Sequence, residues 1–325
     1  MSSMPLPRSH PGYDDASWLL VALCLLLLAG FQMVQPFGIR AGALVSAALV
    51  ICCLQIGQYF YTAHRKRPAL AALFAAMSQI ILFSILGLLL SYMVAARGGA
   101  LWDAELTRWD QGLGLDWLAY LGWINARPLL GNLYHWAYVT LIPQLVVLLM
   151  ALAVTGRDRL LRRVACASIL SGILAVLISG YFPAASNFVH LNLRPEDFPN
   201  LHPAAAYIHY ADFTAVRAGS LTMLDIGTMQ GIITFPSYHA ALGAIFIWGF
   251  IKLGPWGWPG ALWASLMLAA TPVDGAHYFV DVIAGVALAV ACIALSDRLV
   301  SVPWLRLLTQ KRGGRRSGLN LAASN

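Results

Sequence analysis

A chain of 325 residues that is 59% hydrophobic and only 11% charged excludes a soluble globular domain, where charged residues average roughly a quarter. Its net charge of +7 comes from cations that fringe apolar runs without interleaved aromatics. That pattern excludes a nucleic-acid surface and points to contact with anionic lipid headgroups.

In chain order, apolar stretches near the roughly 20 residues needed to cross a bilayer fall at 17–34, 41–61, 69–95, 130–154, 164–182, 238–251, 258–270 and 277–295. This layout predicts an all-α fold, a polytopic transmembrane helix bundle of about eight spans forming a single integral membrane domain over 1–325. The first stretch is long and no small-residue cleavage pattern follows it, so it reads as a retained span. Arg65-Lys66-Arg67, the group Arg157, Arg159, Arg162 and Arg163, and the tail cations Arg298, Arg306, Lys311, Arg312, Arg315 and Arg316 form three basic clusters. Cytoplasmic loops collect Lys and Arg. Eight crossings with both ends inside place all three clusters, with Arg8 and Lys252, on the cytoplasmic face of an inner or plasma membrane. Only Arg40, Arg97, Arg108, Arg127, Arg194 and Arg217 remain outside. Residues 1–16 are then a cytoplasmic N-terminus and 307–325 a basic, disordered cytoplasmic tail. Cys24, Cys52, Cys53, Cys166 and Cys292 are scattered through the spans, as packing residues rather than as metal ligands.

Two extracytoplasmic segments are long enough to matter. Residues 97–127 carry leucines and tryptophans three and four apart with carboxylates between them (Trp102-Asp103, Leu106, Trp109-Asp110), which suits a helix in the headgroup layer. Residues 183–236 hold Pro183, Pro195, Pro199, Pro203 and Pro236 with several polar residues, so continuous helix is not expected across the first half. A polar loop of that length leading into a span suits a lid over a site.

The site itself is predicted from two histidines. His239 ends Phe235-Pro236-Ser237-Tyr238-His239 at the start of one span, and His277 begins His277-Tyr278-Phe279-Val280-Asp281 at the start of the last. One hairpin separates them, so both reach the same membrane–water boundary. His277 and Asp281, four residues apart on a helix, share a face. The carboxylate can take the Nδ1 proton and leave Nε2 as a nucleophile, with His239 as general acid. Ser237 and the amides at its helix start suit phosphoryl oxygens, beside the interfacial Tyr238, and Asp274 suits a cap on the last helix.

These two motifs resemble the second and third signatures of the type-2 phosphatidic acid phosphatase superfamily. The His-Tyr-Phe-x-Asp form is closest to its inositol phosphorylceramide synthase-like branch. The resemblance implies a six-helix core, here with two helices more, and a metal-independent phosphohistidine mechanism. His277 would be the nucleophile, Asp281 its partner and His239 the acid/base. The chain departs from the phosphatase pattern twice: Thr271 stands where an arginine is expected, and Asn187 where a lysine precedes Arg194-Pro195. A pocket short of cations favours a phosphodiester donor, with Arg194 and then Arg217 as phosphate-binding candidates.

The sequence thus reads as a lipid phosphotransferase acting on a membrane phospholipid, with an alcohol or water as acceptor. It shows no nucleotide-binding glycine loop and implies no cofactor. Rival readings are a lipid-phosphate phosphatase, a metal-dependent hydrolase using His239, His277 and Asp281 as ligands, and an inactive lipid-binding or transport protein.

Overall fold

The computed structural model describes residues 12–201, 203, 205 and 207–301. Arg8, His202, Arg306 and the tail 307–325 lie outside the described residues. Those described fold into α1 (Gly12–Val34), α2 (Ala41–Ala63), α3 (Pro68–Ala95), α4 (Asp103–Gly112), α5 (Trp117–Asn125), α6 (Pro128–Val139), α7 (Leu141–Val154), α8 (Asp158–Ser179), α9 (Asn187–His190), α10 (Ile208–Arg217), α11 (Tyr238–Ile251), α12 (Trp258–Asp274) and α13 (Phe279–Ser301). The one sheet among them is a parallel pairing of Gly38–Ile39 with Met223–Leu224. The all-α class is therefore observed.

Each of the eight apolar stretches lies on helix, but not as eight equal spans. Five helices (α1, α2, α3, α8 and α13) are long and apolar enough to cross a membrane, and α6 with α7 makes a sixth only as a pair bent by 61°. The break has a cause in the sequence. Pro143, in the first turn of α7, has no amide hydrogen, and its ring crowds the carbonyl four residues back, so helix cannot run through. The Ala137 carbonyl freed there accepts from Gln144 Nε2 at 2.8 Å. Thr140, at the break, donates to the Trp136 carbonyl and accepts from Trp263 Nε1. The two remaining helices are short. With 14 residues at about 1.5 Å each, α11 rises roughly 21 Å, less than the roughly 30 Å hydrocarbon core.

Packing divides the bundle into an interior and an annex. In α8, 72% of the apolar window is buried, whereas none of α2 is; α2 lies against α3 on the outside. At one end of the bundle, α1, α8 and α13 are tied by charge. Asp14 pairs with the buried Arg162, and Asp297 takes both Tyr13 and Arg163. Tyr13 and Asp14, ahead of the expected start at 17, are thus already helical and tied into the bundle.

The opposite end holds the starts of α11 and α13. Their approach depends on Gly285, where a Cβ would stand 2.3 Å from the Ser237 carbonyl oxygen. With no side chain there, the backbones close and Ser237 N–H donates to the Asp281 carbonyl at 3.0 Å. One glycine thus sets the spacing of the two histidine-bearing helices.

Candidate active site

The start of α13 is held from outside the bundle. Asp110 of α4 accepts from the Phe279 and Val280 amides at 2.9 and 2.8 Å, satisfying donors that a helix N-terminus leaves open. Burial pushes the Asp110 carboxyl up, and those two amides hold it down. About two turns back on the same face of α4, Asp103 accepts from Tyr278 Oη at 2.8 Å and from the Ala185 and Ser186 amides. Both carboxylates are buried, where the amphipathic reading of 97–127 left them facing water. Trp109 and Leu113 of the same helix remain exposed. The expected cap, Asp274, instead ends α12, and its carboxylate meets His135 Nδ1 at 3.1 Å.

His277 follows Ala276, whose φ of 56° is left-handed; such a residue costs of order 1–3 kcal/mol and is found where neighbours over-determine the backbone. Neighbouring groups do so here. Asn187 Nδ2 donates to the His277 carbonyl at 3.3 Å, and Asp281 Oδ2 takes both the Tyr278 amide at 2.9 Å and His277 Nδ1 at 3.3 Å. The Thr234 carbonyl also faces the His277 ring. The other carboxylate oxygen, Asp281 Oδ1, is buried without a hydrogen-bond partner.

His239 is the second residue of α11, after Ser237, whose Oγ caps the helix by accepting from the Ala240 amide. Its ring stacks on Tyr138, with centroids 4.5 Å apart and planes within 10°. His239 and His277 line one cavity of about 390 Å³ with Tyr138, His209, Thr234 and Gly275, and among the described residues no Lys or Arg is in its wall. His209 places Nδ1 against the Ala205 carbonyl and Nε2 against the Ala185 carbonyl.

The other candidates fall elsewhere. Ser237 is fully buried and engaged in capping, and its amide is taken by Asp281. Tyr238 reaches the cavity wall, but its hydroxyl donates to the Ser168 carbonyl and anchors α11 on α8. Arg194 is exposed on the loop, outside the cavity. Arg217 donates to the Gly98 and Gly99 carbonyls and lies over Phe213. Neither arginine lines the cavity: the backbone of Arg194 closes a turn with Asp197, and the Arg217 side chain is held by the Gly98 and Gly99 carbonyls. Asn187 and Thr271, at the missing cation positions, bond to backbone carbonyls instead. Among the described residues no group of three or more His, Cys, Asp or Glu side chains could hold a metal ion.

The family model of the PAP2 superfamily matches residues 104–295, from α4 to the last turns of α13, and leaves α1–α3 outside. No curated protein and no solved structure matches the chain. Members of this superfamily are phosphatases and phosphotransferases. With that match covering more than half of its length, the chain belongs to the PAP2 superfamily.

Proposed function

We propose that this chain is a membrane lipid phosphotransferase of the inositol phosphorylceramide synthase-like kind, working through a phosphohistidine on His277. One observation carries the reading: His239 and His277 share a cavity whose wall, among the described residues, holds no lysine or arginine, with Asp281 behind His277. A phosphomonoester dianion in such a cavity would meet no fixed cation, whereas a phosphodiester brings one negative charge fewer.

In the first half-reaction, His277 Nε2 attacks phosphorus and the bond to the leaving oxygen breaks, with His239 giving that oxygen its proton. Asp281 holds the Nδ1 proton and offsets the positive charge that grows on the ring. In the second, an alcohol gives its proton to His239 and attacks the phosphohistidine, and the N–P bond breaks. Thr234, whose carbonyl faces the ring, must yield its place to the incoming phosphate. The orientation we adopt puts this end of the bundle at the extracytoplasmic leaflet. What supports it is the charged end, where Arg157, Arg162 and Arg163 gather opposite the histidines, since cytoplasmic faces collect basic residues. Water in place of the alcohol makes the same site a lipid-phosphate phosphatase, the second reading that superfamily membership supports.

The test is donor choice. Protein in vesicles with labelled phospholipid and an alcohol acceptor should transfer the headgroup phosphate to the alcohol. Its kcat/KM should exceed that for a lipid phosphomonoester by about tenfold or more, the factor that ~1.4 kcal/mol of charge mismatch gives. Preference for the monoester, with inorganic phosphate as the product, would replace the transferase reading with the phosphatase one.

A further inference from the structure

We infer that Tyr138 is a further catalytic residue of this site, its hydroxyl donating to a non-bridging phosphoryl oxygen while its ring aligns His239. The inference rests on the phosphohistidine reading and deepens it.

Tyr138 lines the cavity together with both imidazoles. Its ring is stacked on His239 at 4.5 Å and 10°. Its hydroxyl oxygen and His277 Cδ2 each come within 2.8 Å of the point a Cβ on Gly275 would occupy. Cδ2 is bonded to Nε2, so the hydroxyl lies toward the edge of the ring that attacks phosphorus. Gly275, with no side chain, leaves that space open to the cavity.

The backbone explains how a residue of α6 arrives there. Tyr138 occupies the last turn before the 61° break that Pro143 enforces. The residue is otherwise buried against Trp117, Ala270 and Val273, so the ring has little freedom to swing away.

The chemistry fits what the site lacks. Charge grows on the non-bridging oxygens as His277 attacks, and fixed donors aimed at that charge are an effective form of catalysis. The lysine and arginine that would do this in the phosphatase pattern are Asn187 and Thr271, both committed to backbone carbonyls. A neutral hydroxyl donor suits a phosphodiester, whose charge is lower. The hydroxyl keeps its proton throughout, so the atom and charge balance of the two half-reactions is unchanged.

Tyr138→Phe keeps the ring on His239 and removes only the donor. Removal of one preorganised oxyanion donor lowers turnover by about 100-fold, and we expect that loss in the rate of labelled phosphohistidine formation. The donor KM should stay within about threefold and vanadate inhibition should weaken about tenfold, since both follow the split between ground-state and transition-state contacts. Tyr138→Leu, which also removes the stack, should lose more and should distort the pH dependence governed by His239. Incorporation of 3,5-difluorotyrosine at 138 covers the case in which Phe fails to fold. That more acidic hydroxyl should tighten vanadate binding and, once ionised, lose activity at a lower pH than wild type. A Tyr138→Phe protein with wild-type adduct rate and vanadate affinity, beside an inert His277→Ala protein, would remove Tyr138 from the chemistry and leave the phosphohistidine intact. No adduct on the wild type would remove both.

Discussion

The two ends of this bundle bury ionisable groups by opposite means. At the charged end, carboxylates face cations: Asp14 meets Arg162, and Asp297 meets Arg163. At the histidine end, carboxylates face backbone amides. Asp103 takes those of Ala185 and Ser186, Asp110 those of Phe279 and Val280, and Asp281 that of Tyr278. Ion pairs neutralise charge between helices. Amide-bound carboxylates instead fix backbone segments around a cavity that has no Lys or Arg among its described lining residues. The first arrangement holds helices together, and the second holds a reactive loop in place.

That contrast can be broken one residue at a time. The largest effect should come from His277→Ala: removing the nucleophile of a concerted set costs up to about a million-fold in turnover, and a radiometric transfer assay should show no product. Asp281→Asn should follow with a loss of about 10⁴-fold, as when a triad aspartate can no longer fix the imidazole tautomer, while the protein still folds. Asp110→Ala should expose the difference between the ends most clearly. It leaves two buried amides unsatisfied, at about 1–3 kcal/mol each, and a thermal melt in detergent should fall together with activity. Arg162→Met strands Asp14, and breaking a buried pair costs about 3–5 kcal/mol. The melt should drop while kcat of the surviving protein stays near wild type. The smallest effect should be that of Arg194→Gln. An exposed side chain outside the cavity should leave kcat/KM and vanadate inhibition within about twofold, as expected for surface substitutions within ±0.5 kcal/mol. A large loss there would put a phosphate contact back on the loop.

Much of the scaffold was legible in the chain because hydrophobic runs report directly on helices, although the stretch 130–154 is split between α6 and α7. His277 and Asp281 do meet, but not on one helix face as their spacing suggested: α13 begins at Phe279, and His277 stands in the segment before it. What stayed hidden depended on partners far away in sequence. Asp103, Leu106 and Asp110 form a stripe at three- and four-residue spacing, but a carboxylate on such a stripe reads as a solvated face until its amide donors are known. The bend at Thr140 was signalled by Pro143, yet nothing local tells that it turns Tyr138 onto His239. The arginines misled for the reverse reason. Arg194 and Arg217 sit in a polar segment near the site in sequence, but the first is exposed and the second is spent on the Gly98 and Gly99 carbonyls.

The central claim is that phosphorus is handed first to His277. The most direct measurement is rapid quenching of the protein with phosphate-labelled donor lipid, followed by mapping of the acid-labile label to a peptide. The account expects a label on His277 that decays when alcohol is added, gains lifetime in Asp281→Asn, and is absent from His277→Ala. Steady turnover by His277→Ala, or a wild-type enzyme that transfers phosphate without ever carrying it, would contradict the account.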